Sequence, residues 1–492
     1  MSKHWVITSL FLLLAISSSC TEEKDDANMV QVVHEAVVGA TNWTRSASLI
    51  VLKEMENKVG FGENIYNAMN DCVKLYEDSE ERLGRLLLGS SYGTITDKLS
   101  WLSGVFTSHR TCLDGLYEKG THFVVPQEAQ NLSILLRKAL AFYGGLLSKQ
   151  KKDNMTSTSS DSDINRGFLV SWDAKTSMAH YVVAKDGSGN YRSINEAVKA
   201  LEQRNRNGRV VIYVKSGVYA ENVEIDRNMK NVMFVGDGID KTVVTGNRNV
   251  KDGASTYNSA TFIVAGDGFW ARDITFENTA GPQNHQAVAI TVASDLSVFY
   301  RCSFKGYQDT LFVHSLRQFY RDCYVYGTVD FIFGNAAAVL QNCNILVRRP
   351  MDHQGNMITA QGRDDPNENT GISIHMSRIA PAPDLEAVKG KFKTFLGRPW
   401  KKYSRTVVLK TDLDGLIHPK GWREWRGNFA LSTLFYGEYM NSGSGALTGQ
   451  RVNWPGFHVL NDPREAGQFT VSSFLQGENW IHMTGVPFSP GL

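Results

Sequence analysis

Residues Cys302-Ser303-Phe304-Lys305-Gly306-Tyr307-Gln308-Asp309-Thr310-Leu311-Phe312 are answered 21 positions later by Cys323-Tyr324-Val325-Tyr326-Gly327-Thr328-Val329-Asp330-Phe331-Ile332-Phe333. The shift carries Cys302 onto Cys323, Gly306 onto Gly327, Asp309 onto Asp330 and Phe312 onto Phe333, and a further 20 positions carry Cys323 onto Cys343. Short β-rich runs with such a period describe a solenoid, and the version built of strands is a parallel β-helix. Its coils stack at strand spacing, roughly 4.7–4.9 Å. Residues one period apart then lie over one another, so Asp309 is expected above Asp330 on one face.

The same texture spreads outward from the repeat. From Tyr181 on, runs such as Val210-Val211-Ile212-Tyr213-Val214 and Val232-Met233-Phe234-Val235 are broken by Gly, Asn and Asp. Toward the N-terminus the period changes. Val30, Val33 and Val37, then Leu132, Leu135, Leu136 and Leu140, recur at helical spacing, with turn punctuation at Gly60-Phe61-Gly62 and Gly89-Ser90. Residues 26–147 therefore read as a small antiparallel all-α helical bundle. Cys72 and Cys112 fall in two of its helices and can staple them in an oxidising compartment. Between Lys149 and Asp163 the chain is polar, with Met155 its only apolar residue, so residues 148–178 are expected to be a linker and 179–492 a separate all-β domain.

Lys3 and His4, an apolar run from Trp5 to Ile16, and Ser17 to Ser19 fit a secretory signal over residues 1–19. That run is too short to span a bilayer core of about 30 Å, and no later segment reads as a membrane span. Sequons at Asn42, Asn131 and Asn154 suit the secretory route. At 492 residues, 42% hydrophobic and 21% charged, the chain exceeds one ordinary core and is neither disordered nor fibrous. The six cysteines form no C-x-x-C zinc or redox motif. Residues 1–180 hold 18 Lys and Arg against 21 Asp and Glu, while residues 181–492 hold 34 against 29. The back half is thus mildly basic, which suits a polyanionic partner.

Two stacked carboxylates cannot both ionise without cost, so one pKa should rise, leaving a protonated acid beside a charged base or nucleophile. Asp330 has Val329, Phe331, Ile332 and Phe333 around it, surroundings that a merely solvated carboxylate avoids. The competing reading is a pair of turn-capping or Ca²⁺-binding acids.

Tyr307–Leu311 and Gly327–Gly334 resemble signature segments of plant pectinesterases (pectin methylesterases). So do Gly217-Val218-Tyr219-Ala220-Glu221, Gln286-Ala287-Val288-Ala289 and Leu396-Gly397-Arg398-Pro399-Trp400. The likeness runs from about Tyr181 to Leu492, and the front half resembles, more loosely, the pectinesterase/invertase-inhibitor bundle. It implies a right-handed parallel β-helix behind that bundle, and a secreted enzyme of the plant cell wall. The implied activity is hydrolysis of the methyl esters of homogalacturonan to pectate and methanol. Position by position, the resemblance makes Asp330 the nucleophile and Asp309 the acid/base that protonates methanol and then activates water. Gln308 and Gln286 become oxyanion donors, and Arg398 the group that holds Asp330 ionised. Thr256, Gln286, Arg398 and Trp400 match the family's substrate-contacting positions. Tyr257, Phe312, Phe333 and Trp425 either floor a sugar groove or pack coil upon coil. A Cys323–Cys343 disulfide with Cys302 free is also implied, with no metal or organic cofactor. The implied partners are methyl-esterified pectin and a separate proteinaceous pectinesterase inhibitor.

The chain also departs from the family. Inhibitor-type bundles begin with a cysteine-paired hairpin, whereas only Cys20 precedes Cys72 here, so the bundle is expected to be degenerate. No basic pair flanks Arg166 to mark a processing site, which leaves retention of the front half open. Gly89-Ser90-Ser91-Tyr92-Gly93 matches G-x-S-x-G but follows a helical segment rather than the strand that motif requires. The basic run from Lys389 to Arg405 reads as a solvated or pectate-attracting face, not a nucleic-acid site, because no stacking module accompanies it. Two rivals remain. A catalytically silent pectin-binding or inhibitor protein has no need of the Asp309, Asp330, Gln286, Gln308 and Arg398 set. A pectate lyase needs Ca²⁺-binding acids and a basic proton abstractor.

Overall fold

The computed structural model describes residues 30–35, 38–39, 42, 63–87, 93–118, 127–153, 167–202 and 208–492. The signal segment, Cys20, the turn at 60–62, residues 89–92, the rest of the Asn42 sequon, the whole Asn154 sequon and linker residues 154–166 lie outside the described residues.

Strands of two to six residues fill the back half, each too short to stand alone and each paired in parallel with its counterpart one coil along. Leu311–Val313 lies between Ile290–Val292 and Ile332–Gly334, with Leu311 opposite Ile332 and Phe312 opposite Phe333. This is the register the 21-residue repeat predicts. The strands stack into sheets of 11, 7 and 8, the three walls of a parallel β-helix. Inside, aromatic rings one coil apart pack on each other, as with Phe299 and Tyr320 at 5.0 Å between centroids and Phe276 and Phe304 at 5.8 Å.

The corners between walls need a left-handed residue, and short polar side chains tolerate that conformation best after glycine. Asp273, Arg301, Asp322 and Asn342 occupy one corner on successive coils with φ of 58°, 49°, 54° and 55°. Asn342 Nδ2 donates to Asp322 Oδ1 at 2.6 Å, tying two coils together.

One expectation fails here. Cys302, Cys323 and Cys343 are all free and buried, so the Cys323–Cys343 disulfide does not form. Stacked residues in register hold their Cα–Cβ bonds parallel at coil spacing, roughly 4.8 Å, whereas a disulfide needs the two Cβ atoms at about 3.8 Å and turned toward each other. The thiols bond to backbone instead: Cys323 Sγ donates to Arg321 O at 3.3 Å and Cys343 Sγ to Gln341 O at 3.4 Å.

The front half is helical, as expected, with α1 (Glu63–Leu87), α2 (Ile95–Glu118) and α3 (Gln127–Asp153). Helix α2 opens with a reciprocal cap: Thr94 N donates to Asp97 Oδ2 at 2.7 Å, and Asp97 N to Thr94 Oγ1 at 3.1 Å. Cys72 and Cys112 are joined, closing a loop of 40 residues between α1 and α2. A cross-link of that span contributes about 2–4 kcal/mol. In denaturant, Cys72→Ala is expected to move the helical transition to lower concentration and leave the β transition in place; a helical transition that does not move contradicts this. Asn131 lies inside α3, and Ser133 Oγ of the same sequon is bonded to His109 Nε2 at 2.7 Å. The stretch read as linker is partly structured, because α3 runs on to Asp153 and Leu169 and Trp172 are buried on the β-helix. No helix among the described residues is long and apolar enough to cross a membrane.

Helix α2 is buried without a break from Lys98 to His109. A helix with one partner has an exposed stripe; over Lys98–His109 α2 has none, because α1 and α3 cover one side and the β-helix the other. Small residues permit the approach. A Cβ on Gly104 would come within 2.8 Å of Leu316 Cδ2. Thr107 Oγ1 accepts from Asn335 Nδ2 at 2.8 Å, and Trp101 Nε1 donates to Asp295 Oδ2 at 3.1 Å. Ion pairs frame the contact. Arg82 and Arg85 meet Asp267 at 3.2 and 2.6 Å, and Arg317 bridges Asp97 and Asp295 at 2.6 and 2.7 Å. Leu102, Val105 and Phe106 of the bundle share one apolar cluster with Ile263, Phe312, Phe333 and Ala360 of the β-helix. The bundle therefore sits on the wall that carries the repeat.

Candidate active site

Asp309 and Asp330 occupy a second corner, just before Leu311–Val313 and Ile332–Gly334, with left-handed φ of 63° and 51°. Asp309 N donates to Val329 O at 3.0 Å, which locks the two corners one coil apart. Both side chains are almost wholly buried, at 6% and 5% exposure.

Their partners differ. Arg398 follows the strand Thr394–Gly397, and its backbone N is held by Thr359 O at 3.0 Å. Its Nε donates to Asp330 Oδ1 at 2.8 Å and its Nη2 to Asp330 Oδ2 at 2.6 Å, a bidentate charge-assisted pair. The guanidinium lies over the Trp425 ring at 4.2 Å from the centroid, which fixes its plane. Asp309 Oδ1, by contrast, is buried without a hydrogen-bond partner among the described residues. Burial pushes both carboxyls up. For Asp309 the charges of Asp330 and Glu118 push further, and it stands well above the usual carboxylate range. For Asp330 the Arg398 pair pulls back against burial. The proton of the pair thus belongs on Asp309 and the charge on Asp330.

The two acids open into a cavity of about 270 Å³. Thr256, Gln286, Gln308, Arg398 and Trp400 line it, so the residues singled out in the sequence converge on one place. Tyr257, Phe312, Phe333 and Trp425 line it too. Phe312 and Phe333 stack at 4.2 Å between centroids, and the Trp400 ring stands 6.1 Å from Phe333. These rings are both coil stack and cavity wall. A Ca²⁺ ion would have to displace a guanidinium that already engages both oxygens of Asp330.

Sequence reasoning missed one wall of this cavity. Thr111, Asp114 and Glu118 of α2 complete it from the bundle side. The available signal was an acidic pair, four residues apart, near the C-terminus of a helix whose last turn holds no basic residue; the helix dipole disfavours anions there.

The Pectinesterase family pattern matches residues 180–478, well over half the chain. This chain belongs to the pectinesterase family. The pattern of the plant invertase/pectin methylesterase inhibitor family matches residues 16–142 in front of it. "Probable pectinesterase/pectinesterase inhibitor 36" of Arabidopsis thaliana is 54% identical, over 99% of this chain and 98% of that protein. "Pectinesterase 2" of Citrus sinensis is 52% identical over 86% of this chain and 82% of its own length. Among solved structures, the carrot pectin methylesterase is 55% identical, with a TM-score of 0.64 over 65% of this chain and all of that one. The Aspergillus niger pectin methylesterase is 30% identical, with a TM-score of 0.53 over 61% of this chain and 94% of that one. In this pectinesterase chain the inhibitor-like bundle and the cavity of the β-helix are in direct contact.

Proposed function

We propose that the protein is a pectin methylesterase that hydrolyses the methyl esters of homogalacturonan to pectate and methanol. The observation that carries this reading is the unequal acid pair, with Asp330 clamped by Arg398 beside Asp309, whose Oδ1 has no hydrogen-bond partner among the described residues, in a cavity lined by aromatic rings. An Asp330 oxygen attacks the ester carbonyl. The tetrahedral oxyanion accepts amide N–H groups from Gln308 and Gln286. Collapse expels the methoxy group, which takes the proton of Asp309 and leaves as methanol. Galacturonate is then joined to Asp330 as an acid anhydride. Asp309, now ionised, takes a proton from water as the water attacks the galacturonyl carbonyl. The anhydride breaks, Asp330 leaves as carboxylate, and Asp309 is again protonated. Trp400 and Thr256 contact the sugar chain, and Phe312 and Phe333 floor the groove.

The domain reading that goes with this function is a signal at 1–19, an inhibitor-like bundle at 26–147, a connecting stretch at 148–178 and the catalytic domain at 179–492. The protein acts outside the cell, in the wall. A separate proteinaceous inhibitor is a further partner of the same groove. The test is turnover of methyl-esterified homogalacturonan with and without chelator. Methanol is expected in step with new carboxylate, and chelator is expected to have no effect; an unsaturated, ultraviolet-absorbing product without methanol would replace this reading by a lyase.

Arg398 offers a pH test. It lowers the pKa of Asp330 against the rise from burial, so removing it makes Asp330 harder to ionise. The acidic limb of kcat/KM is therefore expected to move to higher pH in Arg398→Ala, with the largest loss of activity at low pH. Arg398→Lys restores only part, since a point charge does not replace a planar fork. An unmoved limb would leave Arg398 a substrate contact at most.

A further inference from the structure

We propose that a second cavity, at the far end of α2 from the acid pair, binds a small oxyanion that also carries a hydroxyl, as dihydrogen phosphate and hydroxycarboxylates do. Its volume is about 270 Å³, and it shares no lining residue with the cavity of Asp309 and Asp330. Leu99, near the start of α2, and Leu147 of α3 line it from the bundle side. Arg363, Glu368 and Arg405 line it from the β-helix. The C-terminal segment adds Phe474, at the end of the short helix Val471–Leu475, and Gln476 just beyond it.

The charge of this cavity is unbalanced. Arg363 Nε donates to Glu368 O at 2.9 Å and its Nη2 to Pro366 O. Arg405 Nε donates to Thr370 O at 2.7 Å and its Nη2 to Glu368 O at 3.3 Å. Every one of these acceptors is a backbone carbonyl, and among the described residues neither guanidinium is paired with a carboxylate. The Nη1 of each makes no hydrogen bond among the described residues. Glu368 is the one carboxylate among the described residues lining the cavity, and its oxygens are engaged elsewhere. They accept from Asn335 Nδ2 at 2.6 Å and from the backbone N of Asp364 and of Asp365, each at 2.9 Å. Burial pushes the Glu368 carboxyl up to about 7, so in mildly acidic surroundings it carries no charge to offset the arginines. Burial first, and then the charge of Arg363, disfavour the Arg405 cation. An arginine keeps its proton nonetheless, so an anion is what relieves the pair.

The same cavity also lacks a donor. Gln476 Oε1 is buried without a hydrogen-bond partner among the described residues. Its Nε2 donates to Ser473 O at 2.9 Å, which fixes the amide and leaves Oε1 as the unsatisfied atom. Guanidinium N–H groups call for anionic oxygens, and a buried amide oxygen calls for a hydroxyl. The Phe474 ring, with its centroid 5.7 Å from Arg405 Cζ, joins Leu99 and Leu147 as an apolar wall for a short carbon skeleton.

The experiment is calorimetric titration of the full chain, in mildly acidic chloride buffer, with inorganic phosphate, glycolate and acetate. One saturable site is expected, and the tighter of phosphate and glycolate identifies the source of the oxyanion. Acetate brings no hydroxyl and is expected to bind about tenfold more weakly, the usual cost of leaving a buried acceptor unpaired. Gln476→Met keeps both arginines and is expected to erase that advantage over acetate. Ser473 also lines the cavity, and Ser473→Asp, which brings in a fixed carboxylate, is expected to abolish binding of all three anions. Arg405→Gln is expected to do the same. No saturable binding, acetate as tight as the better of the other two, or affinity that survives Ser473→Asp overturns the proposal.

Discussion

Asp330→Asn is expected to abolish methanol release, a loss on the order of 10⁴–10⁶ in kcat, the range seen when a member of a nucleophilic catalytic unit is removed. The amide keeps the shape of the carboxylate and a hydrogen bond to Arg398, so the corner and the fold survive. What goes is the anion that attacks. The change also removes one of the charges that push Asp309 upward, while burial, the larger cause, and the Glu118 charge remain. Methanol assays beside a circular-dichroism spectrum check this. A folded variant that still turns over at more than a few per cent of the original rate would place the nucleophile elsewhere.

Gln308→Ala is expected to lower kcat by about 10²–10³ with little change in KM, the usual loss of one oxyanion donor. Gln308 directly precedes Asp309 and lines the cavity with Gln286, so the same corner that aims the acid aims the amide. An oxyanion exists only in the transition state and the tetrahedral intermediate, and its donors therefore act on kcat. Initial rates over a range of pectin concentrations separate the outcomes. A raised KM with unchanged kcat would make Gln308 a ground-state sugar contact.

The 21-residue repeat was enough to stack Asp309 on Asp330, because a parallel coil has one register when its inward side chains must stay inside. Arg398 could not be brought to Asp330 by that arithmetic. It lies 68 residues further on, and only the family likeness of Leu396–Trp400 reached it. The cysteine stack misled for a related reason. Pairing in a family motif is a statement about two side chains turned toward each other, while Cys302, Cys323 and Cys343 sit on successive coils with parallel side-chain bonds. The bundle was legible as helices, since Leu132, Leu136 and Leu140 are all fully buried in α3. Its docking was not. Helix α2 meets the β-helix through Ser103, Gly104, Thr107 and Thr111, which read locally as a polar face for solvent. Small polar residues serve two surfaces equally well, water or a close-packed neighbour, and only the tertiary partner decides. The acidic end of α2 was the one local contradiction, and it marks where the bundle reaches the groove.

Asp330 is expected to become covalently joined to the galacturonate whose ester it cleaves. The most direct measurement mixes the protein with a methyl-esterified galacturonan oligomer of defined length, quenches in acid within the first turnover, and maps peptide masses. An increment equal to the oligomer less methanol is expected on the peptide carrying Asp330, and is expected to be missing from Asp330→Asn. First-turnover methanol with no such increment, or with the increment on another peptide, would contradict it.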